Sequence, residues 1–271
     1  MIFKILKYVL IVLLVLIILS VLTATPFIIK ARNEGNSLYA KYASYTQETL
    51  AKNFQLKPYP IKQEFQKIHP LKALKLFKIV VHSQEGEKLS RVNSLDATIG
   101  LFMKMYTLLI RPNYNYNLPM LSVDFIFIGG KRVFVIEVID PAHIEDKNTK
   151  TYYDKMRVWM PEVKKFEQME INMEWCKDIL TDFCIHIKAD RTKDDVLFEI
   201  YKTYLHAYID MAKNAEPISS EQSKKVQGGI EGYVSALLAK GGPAVNVFKT
   251  LLGPEKQQEY VRTVMLSLIH I

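Results

Sequence analysis

Cysteine is scarce in this chain of 271 residues, whose only two cysteines are Cys176 and Cys184. They form neither a CxxC pair nor the framework of a small disulfide-stabilised domain, and their spacing is not that of zinc ligands. The six histidines show no metal-ligand spacing either. The sequence therefore predicts neither a bound metal nor a disulfide scaffold, and both thiols are expected to be ordinary buried side chains.

Short catalytic signatures are also missing. The sequence has no P-loop, no glycine-rich dinucleotide-binding fingerprint, no HExxH zinc motif and no GxSxG nucleophile elbow. The formal net charge is +8, but no basic run is interleaved with aromatic residues, which disfavours a nucleic-acid partner. The scattered lysines fit a solvated surface, an acidic protein partner, a polyanionic ligand or an anionic membrane surface.

The longest uncharged stretch of the chain lies near its beginning. Residues 8–29 carry no charge and consist mostly of Val, Leu and Ile. At about 1.5 Å per residue, such a helix crosses a hydrocarbon core roughly 30 Å thick. We therefore predict a membrane anchor in residues 1–34, built on one N-terminal transmembrane helix. A cleaved signal peptide is the alternative, although its apolar run is usually shorter. Basic residues on the two flanks nearly balance, so they do not decide the orientation.

The rest of the chain is long enough for one sizeable domain. Residues 35–84 are predicted to form an amphipathic helix and a proline-rich lead-in, and residues 85–265 the main domain. Within that domain, strand-like alternation comes first and helical periodicity follows, which favours an α+β fold with an antiparallel sheet. Residues 266–271 resemble the translation of a sequencing-library adapter, and we expect them to be a non-native tail.

An aspartate interrupts one of two apolar runs that predict a β-hairpin around Gly129 and Gly130. On strand alternation, Asp124 shares a face with Ser122. If that face is buried, the pKa of its carboxyl should rise, which suits a proton donor. The alternative is an aspartate that faces solvent. Asp96 is a second acidic candidate, and its alternative role is that of a turn or helix-cap residue.

Several blocks of sequence occur in the order and at the spacing of one known family. The main block begins at Arg111 and Pro112 and ends at Asp124, and it is similar to a proline, a spacer and a Leu-Pro-hydrophobic-Phe-Gly-x-Asp motif. Further matching blocks are residues 135–141, Trp175 with residues 181–187, residues 217–219 and residues 252–255. In these blocks the chain resembles the ferredoxin-dependent bilin reductases, which include the phycocyanobilin and phytochromobilin synthases.

The resemblance implies both a fold and an activity. The fold is a three-layer α/β/α sandwich with a central antiparallel sheet, and a linear tetrapyrrole such as biliverdin lies between the sheet and the C-terminal helices. Members of the family have no bound metal or flavin, take electrons singly from ferredoxin or flavodoxin, and supply protons from side chains. An acidic ferredoxin or flavodoxin is then the expected partner of the basic surface. The domain is expected on the cytoplasmic side of the membrane, where reduced ferredoxin is found.

The family's proton-donating residues are only partly present. Asp124 matches the sheet aspartate that is the central donor in many members. The histidine that often partners it falls on Thr107, and the family's glutamate falls near Leu95, one position from Asp96. Because one residue along a strand changes the face, Asp96 replaces that glutamate only if a bulge or gap intervenes. The aspartate that several members use on a helix falls on Gly242 and is lost.

We therefore predict Asp124 and Asp96 as catalytic residues and Thr107, Ser122 and Lys188 as substrate-binding residues. Lys188 is one of three lysines that could replace the propionate-binding arginine of some members. Because several family residues are replaced, a non-enzymatic, membrane-anchored haem- or bilin-binding protein is the alternative function. An exported domain with an unrelated role is a third hypothesis.

Overall fold

One antiparallel sheet organises the protein. The computed structural model describes residues 2–69, 77–170 and 173–266, and for residues 2–22 and Ala244 it describes the backbone alone. Within these residues, nine strands pair in the order β1-β3-β4-β5-β6-β7-β9-β8, and β2 pairs with the same edge strand as β1. The strands are β1 (Lys57–Pro58), β2 (Lys67–Ile68), β3 (Phe77–Glu85), β4 (Arg91–Ile99), β5 (Met103–Arg111), β6 (Met120–Ile128), β7 (Lys131–Ile139), β8 (Glu167–Gln168) and β9 (Ile185–Asp190).

Eight α-helices in the described part of the chain surround this sheet. They are α1 (Ile2–Asn53), α2 (Gln63–Gln66), α3 (Lys147–Arg157), α4 (Met160–Val163), α5 (Asp194–Asn214), α6 (Ser220–Lys240), α7 (Pro243–Leu252) and α8 (Pro254–Tyr260). A 3₁₀ helix spans Glu174–Ile179, and a π-helical turn spans Val261–Met265. The predicted hairpin is confirmed, because Ile128 pairs with Lys131 across the two-glycine turn.

The two faces of the sheet belong to two separate hydrophobic cores, because successive side chains on a strand point to opposite faces. The first, which we call the α5 face, carries Tyr106, Phe125 and Ile136 and packs against α1, α3 and α5. The second, which we call the α6 face, carries Leu109 and Ile139 and packs against α6, α7 and α8. The α+β class with a central antiparallel sheet is thus confirmed, and helices lie on both sides of the sheet.

The structure contains a strand, β4, that was not predicted from the sequence. Its residues Asn93, Ser94 and Asp96 have low strand propensity. Tertiary contacts hold them in the sheet instead. Asn93 Nδ2 donates to the carbonyl oxygens of Val264 and Met265 at 2.9 and 2.8 Å, and Asp96 forms an ion pair on the other face.

The N-terminal helix is longer than expected, since α1 continues without a break from Ile2 to Asn53. No helix whose residues are described is both long and apolar enough to cross a membrane. The predicted transmembrane segment, residues 8–29, lies mostly outside the described side chains, which begin at Thr23. Of the predicted non-native tail, Leu266 is described and is buried, whereas residues 267–271 lie outside the described residues.

A buried arginine joins α1, the sheet and α5. Arg132 on β7 is 1% exposed, and its Nε and Nη2 donate to the carboxylate of Asp194 at 2.6 and 2.8 Å. Its Nη2 also donates to Glu34 of α1 at 2.5 Å. Such charge-assisted, bidentate contacts fix geometry as well as charge. They set the position of α1 and of the first turn of α5 against the sheet.

A glycine sets how closely α6 approaches the sheet. A Cβ atom at Gly229 would lie 2.8 Å from the carbonyl oxygen of Pro141, which follows β7. That oxygen belongs to the backbone and cannot move away as a flexible side chain would. The neighbouring Gly228 has no atom within 4 Å of the same position. The absence of a side chain at Gly229 therefore allows α6 to pack directly over the end of β7.

These two glycines should respond to alanine with opposite signs. Gly228→Ala should stabilise the protein by about 0.5–1 kcal/mol, because alanine is the better helix former in open space. Gly229→Ala should destabilise it by about 1–3 kcal/mol, because the new methyl group forces α6 away from Pro141. Urea denaturation of both variants measures the free energy of unfolding. Equal effects at the two positions would show that α6 does not pack this closely.

Candidate functional site

A hydrogen-bonded Asp–Thr pair lies at the centre of the α6 face. Asp124 of β6 and Thr107 of β5 are directly opposite each other in the antiparallel register. Thr107 Oγ1 donates to Asp124 Oδ1 at 2.5 Å. Thr107 is 8% exposed and Asp124 is half-buried. The structure thus brings together two of the residues that the sequence predicts.

The environment of Asp124 favours its protonated form. Burial raises the pKa of its carboxyl to about 6, and the negative charge of Glu137 acts in the same direction. The hydrogen bond from Thr107 opposes this shift, because it stabilises the charged form. With a pKa near 6, roughly one carboxyl in ten carries a proton at pH 7. Asp124 therefore has the protonation behaviour of a general acid near neutral pH.

The structure contains a Glu–His pair beside Asp124 that the sequence analysis did not predict. Glu137 of β7 lies directly opposite Ser122, and His186 of β9 lies directly opposite Val135, which itself faces Asp124 across the hairpin. His186 Nε2 and Glu137 Oε1 are 2.8 Å apart, and both side chains are largely buried. A carboxylate beside an imidazole can hold and pass on a proton. The hairpin register alone would have placed Glu137 on the same face as Asp124.

Two aromatic side chains pack on the same face of the sheet as these polar groups. Tyr233 of α6 and Trp175 of the 3₁₀ helix pack against the core of the α6 face, with ring centroids 5.9 Å apart. Burial raises the pKa of the Tyr233 hydroxyl, and the nearby charges of Glu137 and Asp124 raise it further. The hydroxyl therefore stays protonated and remains available as a donor. Polar groups on the sheet and aromatic rings on the elements that pack against it suit a flat, conjugated ligand with a few hydrogen-bonding atoms.

Asp96 is not part of this site, and its prediction as a second catalytic residue is corrected. The pairing of β4 with β5 has no bulge, so that Leu95 lies opposite Thr107 and Asp96 lies opposite Tyr106. Asp96 therefore belongs to the α5 face, where its carboxylate accepts a hydrogen bond from Lys104. The sheet separates Asp96 from Asp124.

The two remaining predicted residues lie on the α6 face. Ser122 is half-buried between Leu109 and Glu137. Lys188 lies on β9 beyond His186, and its Nζ donates to Glu167 of the edge strand β8 at 2.9 Å. Lys188 is thus at the exposed border of the face. In the described part of the chain, no group of three His, Cys, Asp or Glu side chains is placed to hold a metal ion.

Comparisons with known proteins converge on one family. The model of the family "Ferredoxin-dependent bilin reductase" matches residues 43–267. A phycoerythrobilin:ferredoxin oxidoreductase of Gloeobacter violaceus is 22% identical over 86% of this chain and 96% of its own length. A 15,16-dihydrobiliverdin:ferredoxin oxidoreductase of Nostoc punctiforme is 22% identical over 66% of this chain and 73% of its own length. The fold is similar to that of phytochromobilin synthase from tomato, solved in complex with biliverdin. The TM-score is 0.72 at 16% identity, with 86% of this chain and 85% of the other covered.

The raised pKa of Asp124 predicts a pH-dependent cost to stability. Its pKa in the unfolded chain is near 3.8, so the folded protein binds more protons between pH 4 and 6. Protonated Asp124 therefore contributes to the stability of the wild-type protein at low pH, and this contribution is lost as the pH rises through about 6. Asp124→Asn keeps an acceptor for Thr107 and has no charge to bury. Its stability relative to wild type should therefore grow between pH 4 and 7.5, by at most about 3 kcal/mol.

Urea denaturation at several pH values tests this expectation. Asp195→Asn is the matched control, because it removes a carboxyl whose side chain is fully exposed. A difference between Asp124→Asn and wild type that does not change with pH would contradict the burial of a charged carboxylate at this position.

Proposed function

Because the chain belongs to the ferredoxin-dependent bilin reductase family, we propose that it reduces a double bond of a linear tetrapyrrole with electrons from ferredoxin. The observation that carries this proposal is Asp124, a carboxyl with a raised pKa at the centre of the α6 face, where its charge acts on the hydroxyl of Tyr233. Protonation of a reduced tetrapyrrole needs a donor whose protonated form is populated near physiological pH, and the raised pKa of Asp124 increases that population.

Biliverdin and its partly reduced relatives are the proposed class of substrate. One relative is named for phycoerythrobilin and another for 15,16-dihydrobiliverdin, and the similar tomato structure contains biliverdin. Both relatives are 22% identical to this chain, over 86% of it for the first and 66% for the second. Sequence identity to these relatives therefore favours the class of linear tetrapyrroles, but it does not select the double bond that is reduced.

The α6 face is the proposed place of binding. The pyrrole rings would lie between the polar floor of Thr107, Ser122 and Asp124 and the aromatic side chains of Trp175 and Tyr233. A propionate of the tetrapyrrole carries a negative charge and is best placed at the border of the site. Lys188 is the proposed contact for it, since its side chain lies at that border and is half-exposed.

Reduction of one carbon–carbon double bond consumes two electrons and two protons. Each reduced ferredoxin supplies one electron and leaves oxidised, so two encounters complete the reaction. The first electron makes the tetrapyrrole more basic, and Asp124 then transfers its proton to it. Because Thr107 donates to Oδ1 of Asp124, Oδ2 is left to carry that proton. The Glu137–His186 pair, whose side chains are 2.8 Å apart, is the proposed source of the second proton or of the proton that reloads Asp124.

The proposed electron donor rests on the net charge of the chain, and the proposed membrane anchor rests on its N-terminal sequence. A net charge of +8 steers an acidic ferredoxin or flavodoxin to the protein and raises the rate of encounter. The uncharged residues 8–29 support a single-pass anchor, with the domain on the cytoplasmic side where reduced ferredoxin is present.

Asp124→Asn should bind biliverdin and fail to reduce it. The asparagine keeps the size and the acceptor of the aspartate, and it has no acidic proton to transfer. The full chain is mixed with biliverdin, reduced ferredoxin and a ferredoxin-reducing system, and absorption spectra follow binding and reduction. We expect reduction to slow by at least about a hundredfold, which is the typical contribution of a general acid.

Asp96→Asn is the matched control, because Asp96 lies on the opposite face of the same sheet. It should reduce biliverdin at nearly the rate of wild type. Full activity of Asp124→Asn would refute Asp124 as the donor. If wild type binds the tetrapyrrole but never reduces it, the protein is a binding module rather than an enzyme.

Glu137→Gln should shift the dependence of kcat/KM on pH. The charge of Glu137 contributes to the raised pKa of Asp124, so its removal should lower the apparent pKa in the dependence of kcat/KM on pH. His186→Gln keeps that charge, and we expect it to slow the reaction with a smaller change in the apparent pKa. Identical profiles for Glu137→Gln and wild type would show that the two carboxyls are not coupled.

A further inference from the structure

A second concave site lies on the α5 face, at the end of the sheet near α1. Lys78 of β3, Thr98 of β4 and Lys104 of β5 stand directly opposite one another in consecutive strands. They form the floor of a cavity of about 800 Å³, which we call the Lys78 cavity. Its walls are formed by Arg32 and Asn36 of α1 and by Gln63, Lys67 and His69.

The Lys78 cavity has an excess of positive charge. Four of its lining residues are basic, and none of the described residues that line it is a carboxylate. Lys104 is neutralised by Asp96. Within the described residues, Arg32, Lys67 and Lys78 have no carboxylate within 4 Å. The ion pairs of the surrounding described side chains are Lys62–Glu259, Lys104–Asp96, Arg132–Glu34 and Lys256–Glu64, and none of them involves these three cations.

The acidic residues of the adjoining elements are engaged elsewhere. Glu34 of α1 is held by the buried Arg132, and Glu64 of α2 pairs with Lys256. They are therefore not available as counter-charges for the cavity. Cations gathered in one concavity repel each other unless an anion lies between them. The arrangement thus favours binding of an anion from outside the protein.

The donors of the cavity suit a tetrahedral oxyanion. Basic groups stand on its floor and on two of its walls, and the hydroxyl of Thr98 and the amides of Asn36 and Gln63 lie among them. A carboxylate presents two oxygens in one plane, whereas a phosphate group presents oxygens in several directions. Donors on three sides therefore match a phosphate group better than a planar carboxylate.

We propose that the Lys78 cavity binds the phosphate group of an anionic membrane lipid. Arg32 and Asn36 are one helical turn apart and follow directly on the uncharged residues 8–29. On the same helix, Phe27 and Ile29 are 72% and 53% exposed. At about 1.5 Å per residue, Arg32 lies only about 5 Å along the axis from Ile29. Exposed apolar side chains beside cations that have no carboxylate partner among the described residues match the boundary between acyl chains and headgroups.

This site is distinct from the proposed tetrapyrrole site, because the sheet lies between them. The helix is held close to the cavity floor, since a Cβ atom at Gly35 would lie 2.9 Å from Cβ of Lys104. A lipid phosphate bound between Arg32 and Lys78 would therefore connect α1 to three strands. Such a contact would fix the orientation of the sheet relative to the membrane surface.

Calorimetric titration of the full chain in a neutral detergent tests the proposal. The probes are short-chain phosphatidylglycerol, short-chain phosphatidylcholine and inorganic phosphate. We expect one saturable site for phosphatidylglycerol and none for phosphatidylcholine. The triple variant Arg32→Gln, Lys67→Gln, Lys78→Gln should bind phosphatidylglycerol at least about tenfold more weakly, because each cation near an anionic headgroup contributes to affinity.

The matched control is Lys224→Gln, Lys225→Gln, Lys240→Gln, which removes the same charge from exposed positions of α6. It should bind like wild type, and the thermal unfolding midpoint of both triple variants shows that they are folded. Equal binding of phosphatidylglycerol by the two triple variants would overturn the site. Inorganic phosphate binding as tightly as phosphatidylglycerol, or phosphatidylcholine binding equally well, would overturn the assignment to an anionic lipid.

Discussion

The unbroken register of β4, β5, β6 and β7 is the constraint on which the chemistry of this protein depends. Directly opposed residues share a face, so each row of partners crosses the sheet on one side of it. One such row on the α6 face contains Leu95, Thr107, Asp124, Val135 and His186. The adjacent row, from Asp96 through Tyr106 and Phe125, lies on the α5 face. A slip of one residue would exchange the two rows.

The two aspartates of these rows show what the register decides. Asp96 lies beside Lys104 and forms an ion pair. Asp124 has a hydroxyl as its neighbour and Glu137 nearby, so that both burial and charge raise its pKa. The same side chain is therefore a structural anion on one face and a proton donor candidate on the other. Environment, and not residue type, separates the two roles.

Local sequence signals predicted only those features that depend on local structure. The glycine turn specified the hairpin, and alternation within it placed Asp124 with Ser122. The strand β4 was not predicted, because its polar residues are held by contacts with Val264, Met265 and Lys104, which are distant in sequence or on another strand. The Glu137–His186 pair needed the pairing of β7 with β9, whose connection contains several other elements. Non-local pairing of this kind leaves no periodic signal.

The sheet separates two proposed sites of different chemistry. The α6 face combines hydrogen-bonding groups with aromatic rings and is the proposed place of reduction, whereas the α5 face gathers cations beside α1 and is the proposed place of an anionic lipid. A crystal structure of the chain with bound biliverdin tests the central claim most directly. The account predicts the tetrapyrrole on the α6 face, with a carboxyl oxygen of Asp124 within hydrogen-bonding distance of it. A tetrapyrrole bound on the α5 face, or one out of reach of Asp124, would contradict it.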